Sequence, residues 1–368
     1  MPPTKIQHIV IIVKENHTFD NYFGTFPRAN GDATLAHAPD PPPSDPPHNH
    51  AAWLNRAHGA VKQQYKESDI PAYFAYARLF TLCDNYFTDV ASQSEPNHLM
   101  LIAADSLIID NSNPNRTFQP QAPFNLPSLP ANLAKAGLTW KSYGDPKFNY
   151  FHHIAALKSS PNIVSWSQFD TDVAAGKLAN VSWMYADSKY DEHPPYGSGV
   201  GSPIVKPGMQ WTVQRVNAIA KSKYWGSTAI FITYDDWGGW YDHVEPKQVE
   251  TWQGGDPQHG APYKGTQFRY GPRVPCLILS PFAKKAYVSK IFHSHVSVVK
   301  FCEKNFGLPT LNARDAAADD MADCFDFAQT PLPPPPPNPG GVTPTPGPKP
   351  KPKPKPRPKP KPKRKTGK

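Results

Sequence analysis

Three short runs of aliphatic residues stand in the chain without polar alternation: Ile9-Val10-Ile11-Ile12-Val13, Ala229-Ile230-Phe231-Ile232-Thr233 and Pro275-Cys276-Leu277-Ile278-Leu279. A strand wetted on one face would alternate, so the pattern predicts strands covered on both faces, as in a parallel sheet. Helices are predicted over Ser128 to Ala136, Gln210 to Lys221 and Val296 to Phe306. The first opens on a Ser N-cap with Pro130 in its first turn, and the last is ended by Gly307 with Pro309 beyond it. This order of elements predicts an α/β fold, a central mostly parallel sheet with helices on both faces. Two Pro-rich stretches punctuated by His, Asp40 to His50 and Asp191 to Pro207, read as loops over the sheet. No internal repeat points to a solenoid or propeller.

Composition divides the chain in two. Residues 331–368 hold 17 Pro, 11 Lys or Arg and no acid, ending in alternating Lys-Pro. Such a segment has almost nothing to bury and is expected to be a disordered, solvated polyproline II tail. Removing its 11 cations from the 39 Lys and Arg leaves 28 against 30 acids in residues 1–330. The net charge of +9 therefore belongs to the tail, and no specific nucleic-acid surface is implied on the body. Residues 1–330 are long enough for one large catalytic domain. No apolar run reaches a membrane-spanning length. MPPTKIQHIVIIV passes straight into a strand without the order of an export signal, so none is expected in the chain as given, which reads as cytoplasmic. Cys83, Cys276, Cys302 and Cys324 fall in no CxxC or CxxH spacing, which argues for buried thiols and against a thiolate zinc site.

Candidate chemistry clusters at strand ends. The first strand runs into Glu15-Asn16-His17, and the second into Tyr234-Asp235-Asp236-Trp237-Gly238-Gly239. Ligands of open α/β sheets bind at that carboxyl edge. Adjacent acids with a tight glycine turn suit a hard divalent cation, or else cap the next turn. Ser94, with Pro96 in the first turn of an apolar helix, is either a plain N-cap or a nucleophile at a helix N-terminus, where the dipole favours phosphate. Of the 14 histidines, His48, His50 and His193 hang in the Pro-rich loops, while His243 and His295 follow strands or open helices. Gly197-Ser198-Gly199-Val200-Gly201 follows Pro194-Pro195-Tyr196, not a strand, which rejects a dinucleotide loop.

Taken in order, IQHIVIIVKENHTFDNYFGTFP, DIPAYFAYARLFTLCDNYF, SEPNHLMLIAA, DEHPP, IFITYDDWGGWYDHV, RVPCLILSPFAKKAYVS and the stretch from Ser294 to Phe327 resemble the bacterial phosphoesterase family of phospholipases C and acid phosphatases. That family, whose members are often exported, belongs to the alkaline-phosphatase-like superfamily. The resemblance spans residues 5 to 327. It implies a divalent metal cation of open identity and number, held by Glu15, Asn16, Ser94, Asp235 and Asp236. It makes Ser94 the nucleophile and His193 the acid for the leaving group, with His48, Asn97, His193 and His243 as phosphate or substrate contacts. His50 and His295 are further candidates. His17 stands where Arg is usual, and Asp236 where many phospholipase-type relatives have Glu, departures that bear on substrate preference and metal choice.

The implied reaction is hydrolysis of a phosphate ester, of phospholipase C type and so on a phospholipid, through a phosphoseryl intermediate. Alternatives are a phosphomonoesterase using the same site, or a silent body whose cationic tail binds an anionic membrane surface or polyanion.

Overall fold

The computed structural model describes residues 5–342 except 117, 148, 196–201 and 255–262. Both the glycine segment 197–201 and the Lys-Pro run thus lie outside the described residues. Eight strands form the main sheet: β1 His8–Lys14, β2 Thr81–Cys83, β3 Trp140–Gly144, β4 Ile163–Ser165, β5 Val181–Tyr185, β6 Thr228–Tyr234, β7 Cys276–Leu279 and β8 Tyr287–Ser289. Their order is β8-β2-β7-β6-β1-β5-β3-β4. The two longest strands, β1 and β6, lie side by side at its centre, fully buried but for the first residue of β1. β7 departs from expectation: it runs antiparallel to both β6 and β2, the one reversed strand of the sheet among the described residues. A strand buried on both faces reads the same whichever way it points, so its aliphatic run carried no direction.

Register separates the faces. Ile11 pairs with Trp183 on one side and Phe231 on the other, so all three point the same way. Trp183 Nε1 donates to the Leu101 carbonyl of α3 (Ser94–Ala103), and Phe231 meets Phe301 of α6 (His295–Phe306) edge-on. On the other face, Tyr234 shares a buried acceptor with Tyr73 of α2 (Pro71–Leu79), and Lys14 stands over Trp211 of α5 (Val205–Ala220). Helices therefore cover both faces. Of the remaining helices, α1 is Phe19–Phe23 and α4 Leu129–Lys135. α5 begins five residues before its predicted start, taking in Pro207 near its N-terminus, where a missing N–H costs nothing.

Residues 331–342, assigned to the tail by composition, lie against the body. Leu332 N donates to Pro281 O, Asn217 Nδ2 to Pro337 O, and Val342 is buried in the core. Among the described residues no helix is long and apolar enough to cross a membrane.

Candidate active site

Three neighbouring parallel strands end at one edge. Lys14 and Tyr234 are register partners, so Glu15-Asn16 and Asp235-Asp236 leave β1 and β6 side by side. Val13 pairs with Tyr185, so the loop carrying Asp191 and His193 leaves β5 on the other side of β1. Convergence follows from topology. The loop ends are then stitched together: Asp235 N donates to Lys14 O, Glu15 N to Asp191 O, and Asn16 N to Asp235 Oδ1 at 3.0 Å. Asn16 has φ 65°, a left-handed conformation that Asn tolerates better than most residues. Gly238, at φ 56°, passes so near that a Cβ there would lie 2.5 Å from Asn16 Cβ. That turn can only be glycine.

Ser94 opens α3 with 5% of its surface exposed and donates through Oγ to Asp236 Oδ2 at 3.1 Å. One turn later on the same helix, His98 Nε2 lies 3.2 Å from Glu15 Oε1 and 3.5 Å from Asp235 Oδ2. Sequence reasoning missed His98. Its spacing of four from Ser94, which places both on one helix face, was the available signal. His98 is stacked on Tyr150 with ring centroids 4.0 Å apart. Glu15, His98 and Asp235 together form a group able to hold a metal ion.

The electrostatics of this group are those of a crowded anionic site. Burial, reinforced by the Asp235 charge, pushes Glu15 up to about 8, and burial raises Asp236 well above the carboxylate range. Burial alone would lower His98, but its contacts with Asp235 and Glu15 outweigh that and hold it at about 9. Those same His98 contacts hold Asp235 low against its own burial. Two oxygens here, Asn16 Oδ1 and Asp235 Oδ2, are buried without a hydrogen-bond partner. Those two partnerless oxygens, beside the carboxylates of Glu15 and Asp236, fit a hard divalent cation.

His48 and His193 face each other with ring centroids 6.1 Å apart, and with Asp45 they form a second compact group. His48 Nδ1 donates to Pro46 O at 2.7 Å, and Asn16 Nδ2 lies 3.5 Å from His48 Nε2. His193 Nδ1 donates to Pro194 O at 2.6 Å, which assigns proton exchange to Nε2. Burial lowers the His193 imidazolium and raises Asp45. Both Glu15 and His193 line a cleft of about 730 Å³ together with Tyr150, Tyr185, Pro194 and Ile204.

Other expected site residues are engaged elsewhere. Asn97 spends its amide on the loop before α3, accepting from Val90 N at 2.8 Å and donating to Val90 O and Gln93 O at 3.1 Å, so it shapes the Ser94 turn and cannot also bind phosphate. His243 Nδ1 donates to Asp20 Oδ2 at 2.6 Å within an ion network completed by Asp242 and Arg273, and Nε2 lies 3.2 Å from Asn30 Oδ1. His50 is fully buried, with Nδ1 on Ala91 O and Nε2 2.8 Å from Thr266 Oγ1. His295 sits beneath the site: Nε2 donates to the Asp235 carbonyl at 2.8 Å, while Nδ1 lies 3.0 Å from Tyr86 OH. It positions the Asp235 backbone and is closed to substrate.

Directly below His193, the buried Glu192 carboxylate accepts from Tyr22, Tyr73 and Tyr234 at 2.6 to 2.8 Å and pairs with Lys14 at 3.1 Å. Removing one partner of a buried ion pair leaves the other uncompensated. Glu192→Ala is accordingly expected to cost about 3–5 kcal/mol, read as a lower denaturation midpoint; a loss within about 0.5 kcal/mol would show the network to be slack.

A model described as the phosphoesterase family matches residues 6–42 and 44–309. A non-hemolytic phospholipase C of Pseudomonas aeruginosa is 27% identical over 403 residues, covering 88% of this chain and 57% of that protein. This chain thus spans little more than half of the Pseudomonas relative. Phospholipase C A of Mycobacterium tuberculosis is 26% identical over 421 residues, covering 89% of this chain and 78% of the relative. Among solved structures, human ectonucleotide pyrophosphatase/phosphodiesterase 5 superposes with a TM-score of 0.51 at 10% identity, over 87% of this chain and 100% of that one. This last likeness concerns the fold alone.

Proposed function

The chain belongs to the phosphoesterase family, and from that premise we propose that it hydrolyses phosphate esters with the help of a divalent cation, as a phospholipase C-type diesterase acting through Ser94. The observation that carries this reading is the Ser94 to Asp236 hydrogen bond at the head of α3, one helical turn from the Glu15, His98 and Asp235 group. Glu15, Asn16, Asp235 and Asp236 would hold the cation, which supplies Lewis-acid relief of the phosphoryl charge and a more acidic Ser94 hydroxyl. His98 orients two of those carboxylates from behind.

Ser94 passes its proton to Asp236 as Oγ bonds to phosphorus, and the bond to the leaving oxygen breaks. His193 Nε2 protonates the departing alkoxide, then takes a proton from the water that cleaves the phosphoseryl ester, while Asp236 returns its proton to Ser94 Oγ as the bond from Oγ to phosphorus breaks. Because burial holds His193 below the ordinary imidazole range, its imidazolium is the stronger acid and is populated on the acid side of neutrality. The roomy cleft with its aromatic and proline wall accommodates a diester bearing groups on both sides of phosphorus. With nitrophenyl phosphocholine and nitrophenyl phosphate as matched substrates, kcat/KM is expected to favour the diester by at least about tenfold. A preference for the monoester would reassign the site to a phosphomonoesterase. No turnover of either with added divalent ions would leave the body silent.

A further inference from the structure

At the far edge of the sheet, where β8 pairs with β2, a second group converges that takes no part in this chemistry. Cys83 ends β2, His293 lies in the short strand before α6, and Cys324 closes a single 3-10 turn near the end of the body; all three are fully buried. Cys83 Sγ and Cys324 Sγ are 3.7 Å apart, and Cys324 Sγ and His293 Nε2 are also 3.7 Å apart. Asp323 Oδ1 lies 3.5 Å from Cys324 Sγ and 3.3 Å from His293 Nε2. The other imidazole nitrogen, Nδ1, is 2.8 Å from Asp319 Oδ1.

We propose that Cys83, His293, Cys324 and Asp323 form a structural site for a zinc-like divalent ion. Metal-ligand bonds of about 2.3 Å to sulfur and 2.0–2.1 Å to nitrogen or oxygen set the edges of a tetrahedron at about 3.8 Å between sulfurs and 3.5 Å from sulfur to nitrogen. The Cys83–Cys324 and Cys324–His293 separations, each 3.7 Å, are those edges within a few tenths of an ångström, and Cys83, His293 and Cys324 form one group able to hold an ion. Two thiolates with an imidazole and a carboxylate suit zinc over the hard cations, which prefer oxygen. A carboxylate behind the remaining ring nitrogen, here Asp319, is the usual support of a metal-bound histidine. Asp319 and Asp323 keep 37% and 22% of their side chains exposed, which gives the ion a path in. On binding, the two thiol protons and any imidazolium proton leave. The ion would clamp residues 319–325 onto the sheet edge, where Thr81 Oγ1 and Lys284 N already hold Cys324 O.

Cobalt(II) tests this apart from the catalytic centre, whose candidate ligands include no cysteine. Protein purified under reducing conditions and loaded with cobalt should show an intense near-ultraviolet thiolate-to-cobalt band. The band should vanish in Cys83→Ser and Cys324→Ser and persist in Cys302→Ser and Asp235→Asn. No band at saturating cobalt, or one surviving Cys324→Ser, overturns the proposal. So does a Cys83–Cys324 disulfide in the peptide map of the zinc-treated protein, or an imidazolium that stays doubly paired to Asp319 and Asp323 with no metal retained. Should the serine variants fail to fold, an organomercurial added to the wild-type protein is expected to release zinc to a chromogenic chelator in step with thiol modification. Thiol modification without zinc release overturns the site.

Discussion

Ser94→Ala is expected to lower kcat by about 10⁴- to 10⁶-fold, the range seen when a nucleophile that works with its partners as a unit is removed. Stability should hardly change. The variant loses one hydrogen bond, from Ser94 Oγ to Asp236 Oδ2, for which about 0.5–1.5 kcal/mol is usual, and it gains a better helix former in the first turn of α3. Asn97, which shapes the preceding loop, and Glu95, whose carboxylate receives Ser112 N, Ser112 Oγ and His153 Nδ1, remain in place. A collapse of kcat without a matching drop in the unfolding midpoint therefore isolates chemistry from folding. Acid quenching during turnover of a phosphate-labelled diester should recover label on the Ser94 peptide of the wild-type protein and none on the variant. Retention of more than about a tenth of the rate would remove Ser94 from the reaction.

Why these residues could be found beforehand, and others not, comes down to how much of a role is fixed locally. Glu15-Asn16 and Asp235-Asp236 follow uninterrupted aliphatic runs, and parallel neighbours necessarily deliver their carboxyl ends to one edge. The reversed direction of β7 was invisible because a strand buried on both faces has no polarity in its hydrophobic pattern. His98 was legible in principle, one turn beyond Ser94, but an apolar helix hides a functional histidine among core positions. The fates of Asn97, His50 and His243 depend on acceptors distant in sequence or on loop geometry: Val90 O, Thr266 Oγ1 and Asp20 Oδ2 consume their polar atoms. Residues 331–342 read as tail from their prolines, yet proline keeps its carbonyl, and Pro337 O is what Asn217 grips. Cys83, His293 and Cys324 stand far apart in sequence and come from a strand, a second short strand and a 3-10 turn, so no spacing rule could register their meeting.

Chelation is expected to reverse the pH dependence of stability. In the chelated protein Glu15 is raised from 4.5 to about 8 by burial and the Asp235 charge, and His98 from 6.5 to about 9 by its carboxylate neighbours. Both shifts mean that the folded chain binds more protons than the unfolded one, for Glu15 between about pH 4.5 and 8 and for His98 between about pH 6.5 and 9. Stability then falls as pH rises through that range. Asp235, held low, works in the opposite sense only below its ordinary value of 3.8 and stays outside the window. At about 1.4 kcal/mol per pH unit, Glu15 alone would cost on the order of 4 kcal/mol between pH 5 and 8. A divalent ion on Glu15, Asn16, Asp235 and Asp236 keeps those carboxylates ionised in the substrate-free protein, so its apparent affinity should rise about tenfold per pH unit for each proton it displaces. Loaded protein should therefore hold or gain stability over the interval in which chelated protein loses it. Denaturant titrations at pH 5, 6.5 and 8, with chelator and with excess divalent ion, would decide the matter. Parallel curves, or a chelated protein that grows more stable toward pH 8, would mean that no cation is shared by the two strand ends.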